Sequence, residues 1–533
     1  MSQPDEMLFR IINTVKPGAR VGKLSLGTNA VDTPTFFIPT ARGAIPHLTP
    51  DVQKTHTKIE GRCVALEDFL EKGMAGAPLI NSPLSLTQFT AIPSNQITIL
   101  TPRRSPPVST PSSNNDRSIG IITSVGFRSL NWNEYIDAGL KLHPNFLVAM
   151  SDIPTAPMDP KATPPSYLSE SPSSPPTPPI GLPTFVKPGK TRTRKMADRT
   201  EKWFTALLES FSKSTVTEKP RIIAPILPLP IEDQKHYLEV LQESKDQITG
   251  GLAVYAASYI PSLPTSLTSN LPLFSFDEPT TPHDILSQIS LGIDVFNLNL
   301  ATTNSDHGIA LSFTFPEPSN EGVSLSQRKL GTNLWGDAED PAGERHRTDL
   351  SALSEGCSCY ACRSHHRAYL RHLLDAKEMT GWVLLQIHNL HTLTNFFAAV
   401  RESIAKGTFE QDKARFGEVY EQELPEKTGE GPRLRGYQFR TEPGTKPVKR
   451  NKPAYQPLKK ADESEQGEGE GEAETASDDA AVDTKPEEPL LSIDQNADAD
   501  ALVEKGFAEK EEDVLKHAEK KDVVVPGEDA KKD

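Results

Sequence analysis

The 533-residue sequence predicts an α/β protein: a TIM-type (β/α)8 barrel, then a small cysteine-bearing subdomain and a disordered acidic tail. Three observations lead there. Short apolar strands alternate with amphipathic helices, three cysteines crowd together after the last such unit, and charge is segregated towards the C-terminal end.

Residues 8–38 alternate apolar and polar side chains with Gly and Pro punctuation, the pattern of strands and turns. Residues 133–142 have the spacing of a short helix, and 145–150 (NFLVAM) that of a buried strand. Residues 198–210 place Trp203, Phe204, Leu207 and Leu208 on one helical face. Beyond them the pattern is strand 221–229, helix 231–244, strand 248–256, strand 271–276, helix 281–292 and strand 293–300. The helix 281–292 carries Pro282 in its first turn and ends on Gly292, as helix-end chemistry favours. Continuous apolar strands separated by helices indicate a parallel sheet covered on its outer face, and the number of units favours closure into a barrel.

Two proline-rich stretches interrupt this pattern, near 102–117 and 153–190; the second region holds twelve prolines. Neither buries enough apolar surface to offset its ordering entropy, so both are expected to be solvated insertions. The net charge of −15 is an uneven average. Residues 461–533 carry 25 acidic and 8 basic side chains, net −17, which leaves the first 460 residues at +2. A near-neutral body is compatible with RNA binding through local basic patches. The segment 432–460 is basic and proline-rich, and reads as a solvated stretch or an auxiliary RNA contact. The expected domains are therefore 7–345 for the barrel, 346–416 for the cysteine-bearing helical subdomain, and 432–533 for a basic, then acidic, disordered tail. The N-terminus has no apolar core of signal-peptide length, and no apolar run approaches the roughly 20 residues that span a bilayer, so a soluble intracellular chain without integral membrane insertion is expected.

Cys63, Cys357, Cys359 and Cys362 are the only cysteines. Three thiols within six residues are too crowded for a disulfide framework and suit thiolate metal ligation. With one imidazole they make a tetrahedral Cys3His set that fits zinc and leaves no position open for water, which marks a structural site. Spacing alone leaves the fourth ligand open among His365, His366, His372, His388 and His391. The helix that follows aligns Leu390, Leu393, Phe396, Phe397, Val400 and Ile404 on one face, either a core stripe or a surface for a partner subunit.

The run CSCYACRSHHRAYLRHLLDAKEMTGWVLLQIHNLHTL resembles the zinc segment of the tRNA-guanine transglycosylase (queuine tRNA-ribosyltransferase) family. TPTFFIPTARGAIPHLTPD (33–51), ADRTEKWF (197–204) and GGLAV (250–254) resemble further family segments, and the likeness covers roughly 7–416. The resemblance implies a TIM barrel with a C-terminal zinc-binding subdomain, one structural Zn2+ on Cys357, Cys359, Cys362 and His388, and dimerisation supported by that subdomain. It also aligns Asp152 with a base-recognising Asp and Gly250 and Gly251 with a base-binding loop, together a remnant base pocket. The residue-level alternative for Asp152 is a strand-end carboxylate capping a loop.

The departures bear on activity. Catalytic members read G-hydrophobic-D-hydrophobic-F-D-C-x-x-P-T-R, where the second Asp attacks ribose C1′. Here Gly292-Ile293-Asp294-Val295-Phe296 leads to Asn297 at the nucleophile position, and the family Pro and Arg become Ala301 and Thr303. A carboxamide is a poor nucleophile and does not balance an oxocarbenium-like charge. A following family Arg falls at Asp306, the T-D-S-G-G-F-Q loop has only Ile80-Asn81-Ser82-Pro83, and Tyr255-Ala256 replaces a Gly-Glu. The resemblance thus implies a chain with no catalytic residue of its own. It would pair with a catalytic queuine tRNA-ribosyltransferase subunit, help to position tRNA, and support guanine-to-queuine exchange at wobble position 34 of GUN-anticodon tRNAs. A cytoplasmic location, with peripheral association at the mitochondrial outer membrane, follows from the same likeness. Two other readings stand beside it: an active transglycosylase using another carboxylate, with Asp294 the candidate, and a stand-alone RNA-binding scaffold. Alternation along a strand opposes the first, because Asp294 and Asn297 are an odd number apart.

Overall fold

The computed structural model describes residues 8–14, 18–105, 107, 114–123, 125–153, 189–316, 327–336, 340, 343–429 and 431–432. The acidic tail, the basic stretch beyond its first residue and residues 154–188 of the second insertion lie outside the described residues.

The chain opens with an antiparallel sheet of β1 (Phe9–Thr14), β2 (Arg20–Leu26) and β3 (Asn29–Thr33). Eight parallel strands then close a barrel. They are β4 (Thr35–Pro39), β5 (Gly61–Ala65), β6 (Ile97–Thr101), β9 (Phe146–Val148), β10 (Arg221–Ile226), β11 (Gly251–Val254), β12 (Leu273–Ser275) and β13 (Val295–Asn297), and an antiparallel hairpin of β7 (Ser118–Thr123) and β8 (Gly126–Asn131) follows β6. Closure comes from β13 lying against β4, with Val295 opposite Thr35 and Asn297 opposite Phe37. The covering helices include α1 (Pro50–His56), α2 (Trp132–Leu142), α3 (Lys190–Lys213), α4 (Lys235–Glu243), α5 (Pro282–Ser290) and α6 (Leu300–Asp306). A second antiparallel pair, β14 (Ile309–Leu311) and β15 (Gly331–Asn333), leads to α7 (Tyr360–Ser364), α8 (Arg367–Asp375), the long α9 (Met379–Lys406) and α10 (Phe409–Val419).

The two-residue strand period divides the core. Phe37, Ile99, Phe146, Val148, Ile223, Phe274 and Val295 fill the barrel interior, whereas their neighbours Leu147, Ile222 and Phe296 pack outward under the helices. Phe9, Leu24 and Val31 of the N-terminal sheet join the interior cluster and plug the end where the strands begin. Strands are shorter than the apolar runs that predict them. Leu227 and Leu229 are buried after β10 ends, so the run continues into a packed loop at the barrel mouth.

Two expectations change. The helix expected at 198–210 begins at Lys190, because Thr193 and Met196 are buried in its added turns. The ends of the first insertion are built into the body rather than solvated. Arg103 donates to the Gly120 and Ile153 carbonyls and to Asn114 Oδ1, while Arg104 pairs with Glu67 at 3.0 Å and Asp68 at 2.9 Å. Guanidinium groups supply the donors that buried carbonyls and carboxylates require, a role that local composition does not reveal. The apolar stripe Leu390 to Ile404 is core: Phe397 meets Phe36 at 5.2 Å and Phe296 at 5.6 Å, so α9 seals the barrel across its closing strands.

Asp294 sits just before β13, at the plugged end. Its carboxylate takes two bonds from Arg20, at 2.9 and 2.6 Å, and a third from the Leu273 amide at 2.8 Å. Arg20 is completed by the Thr268 and Leu271 carbonyls and lies over the Phe9 ring. This fully partnered ion pair ties the N-terminal sheet to the barrel. Changing Asp294 to Leu leaves a buried guanidinium uncompensated and should destabilise the protein by about 3–5 kcal/mol, whereas adding Arg20→Met should recover part of that loss. Urea denaturation of the two variants checks this; an unchanged midpoint for the single variant would contradict it.

Candidate metal centre and barrel mouth

The three clustered cysteines lie at the start of α7. Cys357 precedes it, Cys359 is its N-cap with Sγ accepting from the Cys362 amide at 3.4 Å, and Cys362 is in its first turn. His388 comes from the middle of α9 and is fully buried. Its Nδ1 lies 3.6, 3.6 and 3.3 Å from the sulfurs of Cys357, Cys359 and Cys362, and the four ligand atoms all lie within 4.8 Å of one another. A tetrahedral ion with about 2.3 Å bonds to sulfur and about 2.0 Å to nitrogen has ligand-to-ligand edges of roughly 3.5 Å, so the spacing fits such an ion.

The outer contacts fit as well. His388 Nε2 donates to the Leu311 carbonyl at 2.8 Å, which fixes the tautomer that leaves Nδ1 as the free lone pair. Among the thiols, bonds from Cys357 and Cys359 pull Cys362 down, and bonding to Cys357 and Cys362 pushes Cys359 up. A cation at their centre would stabilise the sulfurs together as thiolates. Of the competing histidines, His372 is exposed on α8 and the other three are engaged elsewhere. His366 caps the Tyr369 amide, His365 stacks on Tyr369, and His391 bonds with Asn395. Adjacent buried amides complete the fastening: Asn389 accepts from the Leu311 amide and donates to Ser305 and the Ile309 carbonyl, and Gln386 donates to Thr302.

At the barrel mouth, Asn297 ends β13 on the inward-facing parity of Val295. It is 4% exposed, and neither side-chain atom has a hydrogen-bond partner. Thr303 accepts from Asn299, and Asp306 is bound to His47 at 2.6 Å. Asn81 is exposed and donates to its own neighbour, the Ala75 carbonyl.

Asp152 follows β9 and is fully buried. Arg192 binds both of its oxygens at 2.6 and 2.5 Å, Arg199 donates at 3.0 Å and Asn114 at 2.6 Å. Burial pushes this carboxyl up, but bonds from Arg192, Asn114 and Arg199 outweigh it and hold it below the usual carboxylate range. Every strong donor around Asp152 thus comes from the chain itself. Sequence reading missed all three: Asn114 and Arg192 belong to or border the low-complexity insertions, and Arg199 sits in a helix whose spacing reports only its apolar face. Gly250 and Gly251 are not brought to Asp152. They open β11, at the plugged end of the barrel, where a Cβ on Gly251 would meet the Pro272 carbonyl at 2.4 Å and φ is +139°. The residue that β11 delivers to the mouth is Tyr255, half-buried beside Phe276 at 5.4 Å. A likeness of five residues fixed the motif's composition and left its depth along the strand to the barrel stagger.

A closed parallel barrel carrying a Cys3His cluster beyond its eighth strand defines a barrel of the tRNA-modifying transglycosylase type. The chain belongs to the queuine tRNA-ribosyltransferase family, whose model matches residues 16–167 and 182–422. A relative from Schizosaccharomyces pombe, named queuine tRNA-ribosyltransferase accessory subunit 2, is 34% identical over 84% of this chain and 91% of its own length. Relatives of the same name from Drosophila pseudoobscura pseudoobscura and Anopheles gambiae are each 26% identical over 75% of this chain, and over 89% and 87% of their own lengths.

Two outcomes follow. Changing Cys359 to Ala should release the bound metal and lower the melting temperature by on the order of 5 °C, measured by elemental analysis and calorimetry; unchanged metal content would remove Cys359 from the site. Because Asp152 is held below its unfolded value, its contribution is present above about pH 4 and is lost as pH falls through the depressed folded pKa. Asp152→Asn should therefore cost about 3 kcal/mol at pH 7, with the gap to wild type closing below pH 4 in urea titrations. A gap that persists unchanged at low pH would contradict the charge assignment.

Proposed function

We propose that this chain is the non-catalytic subunit of a queuine tRNA-ribosyltransferase. It would pair with a catalytic chain of the same family and help to hold tRNA while guanine is exchanged for queuine at the wobble position of GUN-anticodon tRNAs. The observation that carries this reading is Asn297. An unpartnered carboxamide occupies the inward-facing end of β13, where catalytic members have the attacking carboxylate. An amide does not form the covalent sugar intermediate or balance charge at C1′. The alternative nucleophile, Asp294, is consumed by Arg20 at the opposite end of the barrel. The remnant pocket at Asp152 is closed by Arg192 and Arg199, which leaves its carboxylate no free lone pair directed at a base.

The names of the relatives support the accessory role. Three thiolates and one imidazole in a closed tetrahedral set favour zinc, acting structurally at Cys357, Cys359, Cys362 and His388. When bound, the ion would supply a crosslink between α7 and α9, and His388 would hold it through a tautomer set by Leu311. On this reading the chain divides into a barrel over 7–345 and a zinc-binding subdomain over 346–416. Beside the cluster, Leu350, Tyr369 and Met379 are 74, 37 and 55% exposed, and His365 stacks on Tyr369 while His56 stacks on Tyr360. This aromatic rim is the surface we assign to the catalytic partner. No helix among the described residues is long and apolar enough to cross a membrane. The family likeness supports a cytoplasmic location, or a peripheral one at the mitochondrial outer surface.

The test is guanine exchange into tRNA. The chain alone should be inactive, activity should appear with a catalytic family member, and Asn297→Asp should not restore activity to the chain alone. Exchange by the isolated wild-type chain would overturn the proposal. Changing Tyr369 and Met379 together to Ala should weaken the heterodimer about tenfold in analytical ultracentrifugation while leaving the metal content unchanged.

A further inference from the structure

A cavity of about 480 Å3 lies beside β15, and neither Asp152 nor any of the four cluster ligands lines it. Its walls include Lys329, Thr332, Arg345, His346, Asp349 and Arg367, three permanent cations against one carboxylate, with Arg345 also paired to Asp340 at 3.7 Å. His346 is only 3% exposed, yet neither ring nitrogen has a hydrogen-bond partner. The closest carboxylate oxygen, Asp349 Oδ2, is 3.9 Å from Nδ1, beyond hydrogen-bonding reach. Arg367 gives one terminal nitrogen to Asp349 at 3.2 Å and the other to the Leu353 carbonyl at 3.1 Å, while its buried Nε has no partner. Burial, and then the guanidinium groups of Arg345 and Arg367, keep the imidazole pKa below its ordinary value, so the site resists gaining a further positive charge.

Buried polar groups are normally satisfied, and an unpaired one carries its full desolvation penalty. Two such groups in one wall, beneath a rim bearing Lys329 and Arg345, call for a compact ligand that accepts hydrogen bonds and is negatively charged. A planar carboxylate offers two oxygens in one plane. A phosphate offers oxygens in three dimensions, which suits donors converging from an imidazole, a guanidinium edge and a hydroxyl.

We propose that this cavity binds a phosphate group, with His346 and the Arg367 edge as the inner donors and Lys329 and Arg345 at the rim. The group could belong to the backbone of an RNA strand or to a free nucleotide; the chemistry shared by both is the phosphoryl oxygens. None of these residues enters the argument for the accessory role, so the proposal stands or falls separately from it.

The full-length chain, without any catalytic partner, is the material for the test. Melting curves at constant ionic strength compare chloride, 10 mM inorganic phosphate, 10 mM adenosine monophosphate and 10 mM succinate, for wild type and for the Lys329→Ala, Arg345→Ala double variant. Both substitutions change exposed side chains, and the chloride curve reports whether folding is retained. Phosphate should raise the wild-type melting temperature by a few degrees, and the double variant should lose that shift. A 12-nucleotide RNA without terminal phosphate distinguishes the sources. If the natural group is a backbone diester, the double variant should bind this RNA about tenfold more weakly, with a salt dependence shallower by about one ion. If it is a free nucleotide, adenosine monophosphate should protect while RNA affinity is unchanged. A second variant, His346→Gln, should reduce the phosphate shift without altering the metal content. Succinate matching phosphate, or equal phosphate shifts in wild type and the double variant, would overturn the proposal.

Discussion

The arrangement depends on one buried histidine that faces two ways. His388 turns Nδ1 towards three sulfurs and commits Nε2 to the Leu311 carbonyl of β14, so a single ring joins the cysteine loop, the long helix α9 and the hairpin beyond the barrel. Asn389, one residue on, binds β14 and α6 through both ends of its amide. Once these bonds fix the rotation of α9, its apolar stripe can lie only across β4 and β13, where Phe397 meets Phe36 and Phe296. The metal cluster and the closure of the barrel are therefore parts of one mechanical unit.

At that mouth, strand parity separates two acidic-looking positions that sequence places three residues apart. Asp294 is drawn to the plugged end and neutralised by Arg20, while Asn297 points inward with no partner. A charged residue can be buried at the first position because its counter-ion and amide donors are already in place. The second position keeps its depth and loses its charge. Asp152 shows a third outcome: a carboxylate whose oxygens are fully taken by Arg192 and Arg199 of α3 and by Asn114.

Much of the fold was legible in the sequence. Alternating apolar strands and amphipathic helices do not depend on distant partners, so the units from β9 to β13 stand where periodicity put them, apart from trimmed ends. The trimming has a common cause: apolar runs report burial, and buried loops at the mouth are as apolar as the strands they extend. The start of α3 was missed because its first turns are mostly polar and basic; Asp152 holds Arg192 there, and Met196 is the one large apolar side chain they bury. The GGLAV match suggested a base loop, yet Gly250 and Gly251 lie at the other end of β11, since a short likeness carries no information about stagger.

By itself, the sequence determined what is local and covalent: the period of each element, the ligand types at Cys357, Cys359 and Cys362, and the amide in place of an acid at position 297. Tertiary structure decided what depends on distance between remote segments. It brought His388 to the sulfurs, Arg20 to Asp294, Arg192 to Asp152, and it left His346 buried beside a cationic cavity. The physical reason is that hydrogen bonds and ion pairs act over a few ångströms, and only the closed barrel sets which residues come that near.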